Sequence, residues 1–133
     1  MTLKESSMFM ALIKISYPTA YRDIDESFAK LTVEMWHSEF AYIPYQVMQM
    51  ALARHRRKSN FAPTVAEMIA EVESINMAAL CEFLSAKSIG DRETMAKSKF
   101  LMDSTQSMVN KNKRELDYSY LDDMALLGAF NED

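Results

Sequence analysis

A chain of 133 residues with 49% hydrophobic and 26% charged residues is the size of one ordinary domain and can bury a real core. Two glycines and three prolines are too few for the tight turns of a β-rich chain, so the composition points to an all-α fold. The single cysteine excludes a disulfide or zinc framework, the net charge of −4 is modest, and no apolar run approaches the ~20 residues of a membrane span, which together make a cytoplasmic protein with no membrane partner the expectation.

In chain order, the first predicted helix covers about Leu3 to Ser16, with Met8/Leu12 and Phe9/Ile13 paired one turn apart. Tyr17-Pro18 ends it, because proline disfavours the helical conformation in the residue before it. Asp23, Asp25 and Ser27 offer N-caps for a second helix, Ser27 to Phe40, with Phe28, Leu31, Met35 and Trp36 as its expected core stripe. Pro44 stands near the first turn of a third helix, where a missing N–H is harmless. That helix carries Val47, Met48, Met50, Ala51 and Leu52, and finishes in the basic run Arg54-His55-Arg56-Arg57-Lys58.

After the break at Ser59-Asn60 and Pro63, Thr64-Val65-Ala66-Glu67 has the pattern of a capping box. Val65, Met68, Ile69, Val72, Ile75, Ala79 and Phe83 follow at helical spacing, predicting a fourth helix to about Ser88, with Gly90 as stop and Asp91 as restart. Beyond it, Met95, Met102, Val109 and Leu116 fall seven apart with Leu101 and Met108 beside them. Ser98, Thr105 and Asn112 occupy the positions that would complete an apolar seam. Asn110-Lys111-Asn112-Lys113-Arg114 is an expected hinge. The organisation is thus a compact helical bundle over residues 1–88 and a looser, helical, acidic extension over 89–133.

Catalysis finds little support. Glu34-x-x-His37 is half of a di-iron helix pair, but His55, the other histidine, has Leu52 where the second carboxylate would stand, so no metal is expected. Cys81 lies among Leu80, Phe83 and Leu84, as a small buried hydrophobe would. Gly90 and Gly128 are isolated, so there is no phosphate-binding loop. The expectation is a non-enzyme without cofactors.

Binding is better supported. Residues 1–63 carry eight Lys/Arg against six Asp/Glu, +2, whereas residues 64–133 carry seven against thirteen, −6. The last six acids, from Glu115 on, have no base among them, which disfavours direct contact with nucleic acid. Wound as a helix, Leu116, Tyr120, Leu127 and Phe130 fall along one side, with Leu121 and Met124 beside them and most acids elsewhere. Such a segment suits insertion into a groove on a partner, and equally suits packing back onto its own bundle. Arg54, Arg56, Arg57 and Lys58 carry the alternative of a DNA-binding regulator, against which stands their ordinary role as solvated cations at a helix C-terminus. A dimerisation module built on the Met95–Leu116 stripe is a third reading.

Tyr17-Pro18, Trp36 in the second helix and the string Phe61-Ala62-Pro63-Thr64-Val65-Ala66-Glu67-Met68-Ile69 give the chain from about Met8 to Ile75 a specific likeness. It resembles the small phage loaders and inhibitors of hexameric replicative helicases. The resemblance implies a helical N-terminal domain and a C-terminal region that engages a DnaB-type hexameric helicase. It also implies a hand-over of that helicase to a phage replisome organiser in the bacterial host cell. Pro63, Thr64 and Glu67 are then residues that set the fold.

Overall fold

The computed structural model describes the backbone of residues 1–131 and the side chains of residues 1–111. Five helices follow one another: α1 (Leu3–Ser16), α2 (Glu26–Phe40), α3 (Tyr45–Lys58), α4 (Val65–Ile89) and α5 (Arg92–Asn131). The helix starts are written in short polar motifs. Thr2 and Glu5 form a capping box on α1, Thr64 and Glu67 the same box on α4, and the Asp25 side chain accepts from the Phe28 N–H at the start of α2. Pro44 stands at the N-cap of α3, its carbonyl accepting from Val47 and Met48. Gly90, at φ 74°, closes α4 in the left-handed conformation that a side chain would resist. Asp91 then accepts from the backbone and hydroxyl of Thr94 to open α5.

α1 packs on α2 and α3, α3 on α4, and α4 on α5. Trp36 is 1% exposed at the centre, stacked on Phe40 at 5.6 Å and tilted against Phe9 at 5.8 Å. Ile13, Val47, Met48, Ala51, Met68, Val72 and Ile75 belong to this core with Tyr17, Ile43 and Leu52, and Met108 of α5 joins it. The Met1 side chain is buried too, and its ammonium donates to the carbonyls of Phe40, Ala41 and Ile43, placing a positive charge where the α2 dipole ends negative.

Several expectations are corrected. α2 turns Thr32, Trp36 and Phe40 inward, and Phe28, Leu31 and Met35 stay 56%, 63% and 49% exposed. Its apolar residues occupy more than one face, and the face bearing the tryptophan is the one that meets α1. Met8 is likewise exposed, while Phe9 and Ile13 face the core with Ser6. Cys81 is exposed because α4 turns Ala79 and Ala86 inward. α5 runs without a break through residues 110–114, where the sequence predicts a hinge, since neither proline nor glycine interrupts it there.

The antiparallel pair α4–α5 reverses the reading of the polar seam. Ser98 and Thr105 are 1% and 0% exposed, the most deeply buried described side chains of α5, while Met95, Met102 and Val109 are half-buried around them. Small residues allow close approach of the two helices: Ala79 and Ala86 are the buried residues of the matching half of α4. The Thr105 hydroxyl donates to its own helix at Leu101 and accepts from Asn76 across the pair. The Met95–Val109 stripe is therefore largely spent inside the monomer.

Candidate functional site

The basic end of α3 is divided in two by the helix turn. Arg54 and Lys58, four residues apart, face α4, where Arg54 Nε and Lys58 Nζ donate to the Glu71 carboxylate at 3.1 and 2.6 Å. Glu71 is only 6% exposed. Burial alone would raise its pKa, but the hydrogen bonds from Lys58 and Arg54, with their charges, more than reverse this and hold the carboxyl below its ordinary value. His55 points inward, 4% exposed, with Nε2 2.8 Å from the Phe61 carbonyl and the ring edge-on to Tyr17. Arg56 and Arg57 alone of the run are exposed and outside these ion pairs. Two of the four cations of the DNA-binding reading thus brace α3 against α4. What remains is an exposed arginine pair, little for phosphate recognition to rest on.

Among the described residues, two apolar surfaces combine exposed side chains with a groove. The first is the α2 face of Phe28, Leu31 and Met35, which runs into a groove of about 400 Å³ bordered by Met35, Trp36, Tyr21, Ala62, Pro63 and Val65. The second is a cleft between α1 and α2, over Leu3, Ser7, Met10, Ala29 and Val33, edged by Lys14, Lys30, Glu26 and Glu34. Elsewhere, Met77 and Leu84 on α4 and Phe100 on α5 are exposed as well. Among the described residues no three His, Cys, Asp or Glu side chains are grouped to hold a metal, and no helix is long and apolar enough to cross a membrane. The candidate partner-binding residues Leu116, Tyr120, Leu121, Met124, Leu127 and Phe130 lie outside the residues whose side chains are described.

Within this helical scaffold, residues 1–69 match the family model for the N-terminal domain of the gene 39 protein. The chain belongs to that family. It comprises phage loaders and inhibitors of DnaB-type helicases, and its match ends at Ile69, inside the first turns of α4. The matched stretch thus contains α1 to α3 and the Thr64–Glu67 capping box, but neither Glu71 nor α5. No curated protein and no solved structure matches the chain.

The sequence string that carries the family likeness acts through backbone geometry. Pro63 is buried at the turn into α4, and the Thr64 hydroxyl accepts from the Glu67 N–H while the Glu67 carboxylate accepts from the Thr64 N–H, both at 3.1 Å. The backbone and side-chain hydrogen bonds of Thr64 hold the Glu67 carboxyl below its ordinary pKa. Sequence reasoning missed the partners of Glu71. A signal was present: an acid one turn beyond Glu67 on the apolar side of α4, with two cations one turn apart on the preceding helix.

Proposed function

We propose that this protein is a phage DNA replication accessory factor that binds a hexameric replicative helicase and controls its loading and activity. Membership of the helicase loader and inhibitor family carries the reading. In this division of labour residues 1–88 are the scaffold and residues 89–133 carry the partner-binding segment. Leu116, Tyr120, Leu121, Met124, Leu127 and Phe130 insert into a groove of the helicase, and the surrounding acids steer the encounter with a basic rim. Hand-over to a replisome organiser is the further step of the same proposal.

The DNA-regulator alternative loses ground because Arg54 and Lys58 are engaged by Glu71. Mixing the purified protein with a hexameric helicase in one arm and labelled duplex DNA in the other tests the choice. Co-migration with the helicase and no shift of the DNA is the expected outcome; tight, salt-sensitive DNA binding without helicase binding overturns it.

A further inference from the structure

The α4–α5 hairpin has two sides. Glu71, held by α3, and Met108, in the core, mark the side that faces the bundle. At about 100° per residue, Leu80 lies opposite Glu71 on α4, and Gln106 lies opposite Met108 on α5. The Asn76 amide, donating to Gln106 Oε1 at 3.4 Å, joins the two helices on this outward side. Met77, Leu80 and Leu84, three and four residues apart, form an apolar ridge along α4 there. Leu80 is half-buried, and Met77 and Leu84 are 61% and 56% exposed. On α5, Asp103 and Lys99, about one and two turns before Gln106, form a charged ridge beside it. Both are exposed, and neither has an ion-pair partner among the described residues. A lysine one turn ahead of an acid is the weaker order for pairing within a helix, which leaves both charges available to a neighbour.

We propose that this protein self-associates through that outward face, as a two-fold dimer of α4–α5 hairpins. The face complements itself when turned end for end. With Asn76 level with Thr105, the point between Leu80 and Cys81 on α4 is level with the point between Phe100 and Leu101 on α5. A two-fold axis across the face at that level sets α4 antiparallel to α4 of a second copy, and α5 antiparallel to α5. Met77 of one copy then meets Leu84 of the other, and the two Leu80 side chains meet near the axis. Lys99 of each copy comes within about 2 Å of level with Asp103 of the other. The result is two Met–Leu contacts and two opposite-charge pairs. This ridge is distinct from the Met95–Val109 stripe, which is spent inside the monomer, and it lies beyond the residues matched to the family. The face spans about 20 Å along the helices and about 20 Å across, so a dimer buries roughly 800 Å² in all. That is the low end for specific association, so the dimer is weak and concentration-dependent rather than obligate. It needs no helicase and stands apart from the function proposed above.

Analytical sedimentation of the full chain, without helicase, from about 10 µM to about 1 mM at low salt tests the proposal. The average mass should rise with concentration from one chain toward two. Leu84→Glu should weaken association on the order of tenfold or more. Lys99→Glu and Asp103→Lys, each made singly, should do the same, because each sets like charges opposite one another. Lys99→Glu combined with Asp103→Lys exchanges the partners and should restore association to within about threefold of the wild type. Ile15→Glu, at a position 75% exposed on α1, should leave association unchanged. A single-chain mass at every concentration overturns the proposal, and so does a dimer that Leu84→Glu and both single reversals leave intact. A second measurement uses no charge. Leu80→Cys in a Cys81→Ser background places a thiol beside the axis and should give a disulfide-linked dimer on mild oxidation, whereas Ile15→Cys in the same background should not. Equal cross-linking of the two overturns the proposal by itself.

Discussion

Glu71→Gln keeps the volume of a side chain buried between α3 and α4 and removes only its charge. In the native protein that charge accepts two hydrogen bonds, from Arg54 at 3.1 Å and Lys58 at 2.6 Å. Each charge-assisted bond to a buried carboxylate contributes about 1.5–3 kcal/mol. The two cations are 38% and 58% exposed, so they regain water when the carboxylate is lost, and the net cost falls to about 2 kcal/mol, less than for a fully buried triad. For a domain of this size that is a fall in Tm of roughly 6–10 °C. The pH dependence has a definite sign. The folded carboxyl is held below its ordinary pKa, so its contribution is fully present above the ordinary carboxylate value of about 4.3 and disappears as pH falls through the lower, folded value. Thermal melts of wild type and Glu71→Gln should therefore differ fully at pH 7 and converge only at a pH below the lowered, folded value, where both side chains are neutral. A gap of the same size at both pH values, or no gap at pH 7, would refute the assignment of this triad as the brace between α3 and α4.

Trp36→Ala should cost about 3–5 kcal/mol in chemical denaturation, because the indole fills the centre of the core against Phe9 and Phe40; a loss below about 1 kcal/mol would contradict that placement. Thr64→Ala removes the forward half of one capping box and should cost about 1 kcal/mol, seen as a small shift in Tm without loss of helical circular dichroism. Ala86→Leu should destabilise by about 1–3 kcal/mol, since only a small side chain lets α4 and α5 approach there; an unchanged melt would show that the pair has room to spare. Reversing both exposed arginines, Arg56→Glu with Arg57→Glu, should leave helicase binding nearly intact in a pull-down, and its loss would return the basic run to the functional surface.

The helix boundaries were legible because they depend on local chemistry. Thr64-x-x-Glu67, Asp25, Pro44, Gly90 and Asp91 each act within one turn of their own position, and four residues of spacing suffice to recognise them. The same logic would have found Thr2-x-x-Glu5. The buried side of α4 was legible for a related reason, since Met68, Val72, Ile75 and Ala79 form one unambiguous stripe. On α2 the apolar residues spread over two adjoining faces, and the choice between Trp36 with Phe40 and Phe28 with Leu31 is made by α1, a tertiary partner that periodicity does not see. On α5, hydropathy marked Ser98 and Thr105 as polar gaps in an apolar seam, whereas helix packing selected them for small volume and supplied Thr105 with a hydrogen bond from Asn76, outside its local sequence. Of the candidate site, the basic run was visible as a run, but its division into bracing and free cations depended on where Glu71 comes to lie.

The claim that residues 116–130 carry helicase recognition is tested most directly by titrating a hexameric DnaB-type helicase with the full chain and with a chain lacking residues 115–133. Circular dichroism and melting of the shortened chain are recorded alongside, and binding is read by sedimentation of the complex. The account predicts that the full chain co-sediments with the helicase and that the shortened one, still helical and melting cooperatively, does not. Unchanged affinity of the folded, shortened chain would contradict it.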